Sequence, residues 1–173
     1  MKRNISIVYD CDNQPIVLIN DVFFKGRRHI SWEDVEAYLK NFIGEINEIF
    51  ETSDKIYIGK DLPDEYSNSK YTRKLKGTLA KAKANAAQGI PEIIQIATNK
   101  HFRENLSEKH EKDARLGWYH YDTCFALPCY DSEGNLTGYN IFYAELLVRH
   151  AFNGKLYLYD IINIEKKKRS NPL

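Results

Sequence analysis

Apolar and polar positions alternate with period two over residues 4–9 (NISIVY) and 15–24 (PIVLINDVFF), on either side of a DCDNQ turn. This pattern predicts a β-hairpin, with Pro15 pointing to an edge position because proline cannot donate to a ladder. At Ser31 the period changes. Ser31 is placed to cap a helix whose first turn holds Glu33 and Asp34. Trp32, Val35, Leu39, Phe42, Ile43, Ile46, Ile49 and Phe50 then recur at helical spacing to about Glu51, predicting one long helix with a core-facing stripe. KIYIG (55–59) reads as a short strand and 60–70 as a polar loop. Residues 71–89 read as a basic helix with Leu75, Leu79, Ala82 and Ala86 inward and Gly89 at its end. Pro91 opens another helix, and the helical pattern fades within 100–115.

The last third returns to period two, in WYHYDTCFALPCY (118–130), YNIFYAELLVRH (139–150) and LYLYDIINI (156–164). DSEGN separates the first two of these strands, and AFNGK, with its Asn-Gly pair, the last two. Helices ahead of an antiparallel meander make the fold class α+β, with the meander packed on the helices. The chain divides into an N-terminal hairpin extension (1–30), an α+β domain (31–164) and a basic tail (165–173).

The meander also carries a register. Phe125 and Leu127 should share a face with Phe142, Ala144, Leu146 and Val148, which sets Phe125 opposite Phe142. Asp122 then lies opposite Glu145, His120 opposite Leu147 and Trp118 opposite Arg149. The other, open face gathers His120, Asp122, Glu145, Arg149 and Asp160 with Trp118 and Tyr143, and Leu147, Leu156 and Leu158 share it.

Composition narrows the function classes. The chain has 173 residues, 43% of them hydrophobic and 28% charged, as in a globular domain, and a net charge of +1. Attraction to nucleic acid must therefore come from local patches. Cys11, Cys124 and Cys129 include no CxxC pair, so neither a disulfide framework nor a zinc site is expected, and no cofactor or metal is assigned. The N-terminus lacks a long apolar stretch and no segment approaches a membrane span, which predicts a cytoplasmic protein without a membrane partner.

A histidine, a carboxylate and an arginine on one sheet face suit RNA transesterification. A carboxylate or imidazole takes the 2′-hydroxyl proton, another imidazole protonates the leaving oxygen, and cations hold the phosphorane. The same residue types also line ordinary solvated sheets. Lys74, Lys76 and Lys81 on the basic helix, with Arg115, Trp118 and Tyr143, are the candidate nucleic-acid contacts. His110 and its basic neighbours fit either a phosphate contact or a solvated helix end. His101 is placed on a solvated helical face, His150 at a sheet edge, and His29 reads as structural or exposed.

IYIGKDLPDEY, KAKANAAQG, KHEKDARLGWYHYD and RHAFNGKLYLYDIINI resemble domains of phage and mobile-element polyvalent proteins. These are grouped with nucleases of the barnase–EndoU–colicin E5/D–RelE-like fold. The resemblance runs from about Trp32 onward. It implies helices ahead of a four-stranded antiparallel sheet, and metal-independent RNA cleavage as a toxin or host-takeover effector. The group has no single catalytic motif, so it implies types of residue: a carboxylate, a basic residue and a histidine on the sheet, here Glu145, Arg149 and His120. His110 and Arg115, from KHEKDAR, are second candidates. The implied partners are RNA and a protein, either a host factor or a cognate immunity protein. The competing expectation is a non-catalytic protein that occupies a host nucleic-acid-binding or defence protein.

Overall fold

A computed structural model describes residues 2–26, 28–103 and 116–167. Its centre is the meander of β6 (Trp118–Tyr130), β7 (Leu136–His150) and β8 (Leu156–Lys166). Each outer strand of the meander receives a hairpin in parallel. β1 (Ile5–Tyr9) and β2 (Pro15–Ile19) join β6 through β2, while β3 (Ile46–Glu48) and β4 (Lys55–Tyr57) join β8 through β4. β5 (Thr98–Arg103) pairs with the start of β6. The helices α1 (Trp32–Leu39), α2 (Leu62–Asn68), α3 (Lys70–Lys74), α4 (Gly77–Ala86) and α5 (Ile90–Gln95) cover one face of this eight-stranded sheet. The architecture is α+β. Among the described residues no helix is long and apolar enough to cross a membrane.

Period-two burial builds the meander. Tyr121, Phe125, Phe142, Leu146 and Val148 are almost wholly buried under Ala84, Ala86, Ile90 and Ile93 of the helical layer. At about 25 cal/mol per Å² of apolar surface, burial of these side chains helps hold the two layers together. The β6–β7 register is the expected one, with Phe125 opposite Phe142, Asp122 opposite Glu145, His120 opposite Leu147 and Trp118 opposite Arg149.

Five expectations change. The hairpin read as an extension belongs to the sheet, and its Val17 and Ile19 lie in the main core. The helix expected to run to Glu51 ends at Leu39 and is followed by a 3-10 turn, Lys40–Phe42. Gly44 (φ +93°) then turns the chain into β3, leaving Ile46 53% and Phe50 68% exposed. Strand pairing outweighs the helical spacing here, because a helix would have to carry glycine in its interior. The loop expected at 60–70 contains α2, which buries Leu62 and Tyr66. The basic helix is interrupted at Leu75, which is extended, and at Gly77 (φ +59°), giving α3 and α4. Finally, 98–103 is a strand, so His101 lies on the sheet and not on a helix.

Candidate acid–base centre

β5 and β7 meet over β6 at one place on the open face. His101 of β5 is the direct partner of His120, and directly opposed residues in an antiparallel pair project to the same side. Their rings stack, with centroids 5.3 Å apart and planes 29° from parallel. Glu145 reaches in from β7: its Oε2 lies 3.5 Å from His120 Nδ1 and its Oε1 3.9 Å from His101 Nε2. Side-chain exposures of 30% for His101, 16% for His120 and 25% for Glu145 leave the group neither sealed nor freely solvated.

Two asparagines with left-handed backbone aim these side chains. Asn99 (φ +54°) sits where the β5–β6 register slips between Thr98 and His101. Its carbonyl accepts from His101 Nδ1 at 2.9 Å, and its side-chain amide donates to Asp122 at 2.8 Å. Asn163 (φ +52°) lies in β8 opposite a second slip, between Tyr143 and Glu145, and its amide donates to Glu145 Oε2 at 2.5 Å. Such bulges re-aim side chains, and asparagine is among the few non-glycine residues that tolerate this conformation. Because the Asn99 carbonyl can only accept, His101 donates to it from Nδ1, and in the neutral ring this leaves the lone pair on Nε2, on the side of Glu145. Burial lowers the pKa of His120 below its ordinary value. Glu145 opposes that shift, while His101 and Arg103 add to it.

Glu145 and Asp122 open onto a groove of about 610 Å³ that runs to the β1–β2 turn. Asp10, Asp12, Glu165, Tyr143 and Lys167 also line it. Tyr143 is 45% exposed, and Lys167 Nζ lies 4.9 Å from its ring centre.

The other expected residues are dispersed. Arg149 is four residues along β7 from Glu145, about 13 Å at roughly 3.3 Å per residue; it pairs with Asp61 at 3.1 Å and covers the Tyr157 ring. Trp118 is buried with its ring edge-on to Tyr159, so it presents no free face for a base. Lys74 and Lys76 are exposed in the helical layer, across the sheet from Glu145. Lys81 lines a different groove, with Asp21, Lys25 and Tyr130. His110 and Arg115 lie outside the described residues.

Asp160, Leu156 and Leu158 were expected on the open face, and the structure corrects this. The loop Ala151–Lys155 closes with Ala151 N–H donating to the Lys155 carbonyl at 3.0 Å, and it sets Val148 opposite Leu158 and Arg149 opposite Tyr157. That register turns Leu158 into the core and Tyr157 and Tyr159 outward. Asp160, two residues on from Leu158, shares its face and lies on the helical side, paired at 2.5 Å with the buried Lys83. Lys83 is therefore no part of a basic surface. His101 and Asn163 are the site residues that sequence reasoning missed. For Asn163 a signal existed, a polar residue that with Asp160 interrupts the apolar run LYLYDIINI; TNKHFR carries no alternation that would have revealed β5.

Comparison with protein families, curated proteins and solved structures finds no match to this chain.

Proposed function

We propose that the chain is a ribonuclease-like effector of a phage or mobile element, cleaving RNA by general acid–base transesterification at His101, His120 and Glu145. The observation that carries this reading is the convergence of two imidazoles and one carboxylate, with all three reactive atoms within 4.8 Å of one another. His120, neutral at pH 7 because its pKa is lowered by burial, takes the proton of the 2′-hydroxyl. The 2′-oxygen attacks phosphorus, the bond to the 5′-oxygen breaks, and His101 in its protonated form gives that oxygen a proton. The products are a 2′,3′-cyclic phosphate and a 5′-hydroxyl end. Glu145, within 4 Å of both rings, stabilises whichever imidazole carries the charge. Tyr143 offers a ring to a base in the groove.

A second reading has an observation of its own. The groove beside the centre is lined by Asp10, Asp12, Asp122, Glu145 and Glu165 against Lys167. That charge repels a polyanion and suits the basic surface of a nucleic-acid-binding host protein, which a non-catalytic inhibitor would occupy. One experiment separates the two readings. The chain is incubated with an RNA pool in a chelator, and in parallel with a basic nucleic-acid-binding protein and its labelled nucleic acid. Fragmentation that disappears in His120→Ala and Glu145→Ala supports the nuclease. Displacement of the nucleic acid without fragmentation, lost when Asp12 and Glu165 are changed to lysine, supports the inhibitor.

A further inference from the structure

The donor set of this centre fits a metal ion as well as a proton. Bonds of about 2.0–2.2 Å from Zn²⁺ to imidazole nitrogen or carboxylate oxygen place ligand atoms about 3.3 Å apart in a tetrahedral site. Glu145 comes near that spacing with each ring through a different oxygen, Oε2 at 3.5 Å from His120 Nδ1 and Oε1 at 3.9 Å from His101 Nε2. With one ligand atom from each residue, all three lie within 4.8 Å of one another, so a tetrahedral set needs them to approach by no more than about 1.5 Å.

The surroundings match as well. A metal-bound histidine usually donates its other ring N–H to a carbonyl or carboxylate, which fixes the tautomer, and ligating carboxylates are themselves hydrogen-bonded. His101 has that arrangement through Nδ1–H and the Asn99 carbonyl, and Glu145 through the Asn163 amide. The carboxylates of the adjoining groove raise the local concentration of cations.

We infer that His101 Nε2, His120 Nδ1 and a Glu145 carboxylate oxygen form a binding site for one divalent first-row transition ion of the zinc type. Two imidazoles and one carboxylate favour such an ion over Mg²⁺ or Ca²⁺, which take oxygen ligands, and over Cu⁺, which takes sulfur. Three protein ligands leave a coordination position open to water. A consequence, resting on the acid–base reading above, is that the ion switches cleavage off, because it takes the lone pairs that move the protons. The binding site itself does not depend on that reading.

The test uses the full chain stripped with a chelator and dialysed. Zn²⁺ is titrated calorimetrically, and Co²⁺ is followed by its visible absorption, which reports coordination by nitrogen and oxygen. One ion per chain is expected. His101→Ala, His120→Ala and Glu145→Gln should each weaken binding more than about tenfold, and Asn163→Ala about tenfold through the orientation of Glu145. His150→Ala should leave binding unchanged. Circular dichroism confirms that each variant is folded. Absence of saturable binding, or equal affinity in the His101→Ala/His120→Ala double variant, overturns the inference. Parallel RNA assays keep the two proposals apart. Zn²⁺ binding without RNA cleavage leaves this site standing and removes the nuclease; cleavage without Zn²⁺ binding does the reverse.

Discussion

The two faces of the sheet each hold a charged cluster, and they are built in opposite ways. On the helical face Lys83 and Asp160 are almost wholly excluded from water, with side-chain exposures of 0% and 3%. Lys83 Nζ donates to Asp160 Oδ1 and to Thr72 Oγ1, and it lies against the rings of Tyr66 and Tyr71. Asp160 also accepts from the Ile161 amide and the Ser69 hydroxyl. On the open face His101, His120 and Glu145 stay partly exposed beside a groove, and their closest mutual contacts are 3.5 and 3.9 Å. The first cluster is saturated and shut, so it cannot meet a ligand. The second is aimed by neighbouring asparagines while its own reactive atoms converge without closing on one another. Charge on a strand carries little information; whether its hydrogen-bonding capacity is spent internally separates a structural pair from a reactive one.

The largest effect expected from breaking this contrast is on stability. Lys83→Met leaves the Asp160 carboxylate buried without its cation and should cost about 3–5 kcal/mol in urea denaturation. Replacing both residues (Lys83→Met with Asp160→Leu) should recover most of that loss, because a buried pair is often no better than apolar packing of similar volume. A single variant no worse than a surface substitution would show that the pair is not a sealed structural element.

The next effect separates aim from stability. Asn163→Ala loses both the hydrogen bond to Glu145 and a residue suited to φ +52°, whereas Asn163→Gly loses only the hydrogen bond. Denaturation should rank alanine below glycine by about 1 kcal/mol. RNA cleavage should fall in both to a similar extent, by about a hundredfold if Glu145 is displaced by about 1 Å. Equal stability of the two variants would mean that the left-handed backbone is not what holds the bulge.

The smallest effects are in pH dependence, and the two clusters should respond with opposite sign. Burial raises the Asp160 carboxyl to about 6, against the pull of Lys83. The folded chain then binds a proton that the unfolded chain has already released. The stability of wild type relative to Asp160→Asn should therefore fall as pH rises from about 4 to about 6. His120 is shifted the other way, so the folded chain gives up its proton earlier. Its contribution is present above pH of about 6.5 and is lost as pH falls below that value. The acidic limb of RNA cleavage should accordingly lie below pH of about 6.5. A limb above that value would place the base elsewhere.

What could be read from the chain beforehand follows the same division. Phe125, Phe142, Leu146 and Val148 must all reach one core face, so a one-residue slip of β6 against β7 would bury the polar set; the pairing of Asp122 with Glu145 was therefore legible. Across β7–β8 the register follows the closure of the Ala151–Lys155 loop and then slips twice, and alternation within either strand fixes neither. Asp160 thus could not be assigned to a face from periodicity. Gly44 was the local hint against a long first helix, but Ile46 and Phe50 at helical spacing concealed it. His101 entered the centre through a strand with no apolar alternation, held by its partner and not by its own sequence.

The most direct measurement counts 2′,3′-cyclic phosphate ends formed from a defined RNA in the presence of a chelator, comparing the wild-type chain with His101→Ala and His120→Ala proteins shown to be folded. If the imidazoles move protons at the scissile phosphate, wild type generates cyclic ends and each variant falls by about 10²–10⁴-fold. No cyclic ends from wild type, or equal yields from all three proteins, would contradict an acid–base centre at His101, His120 and Glu145.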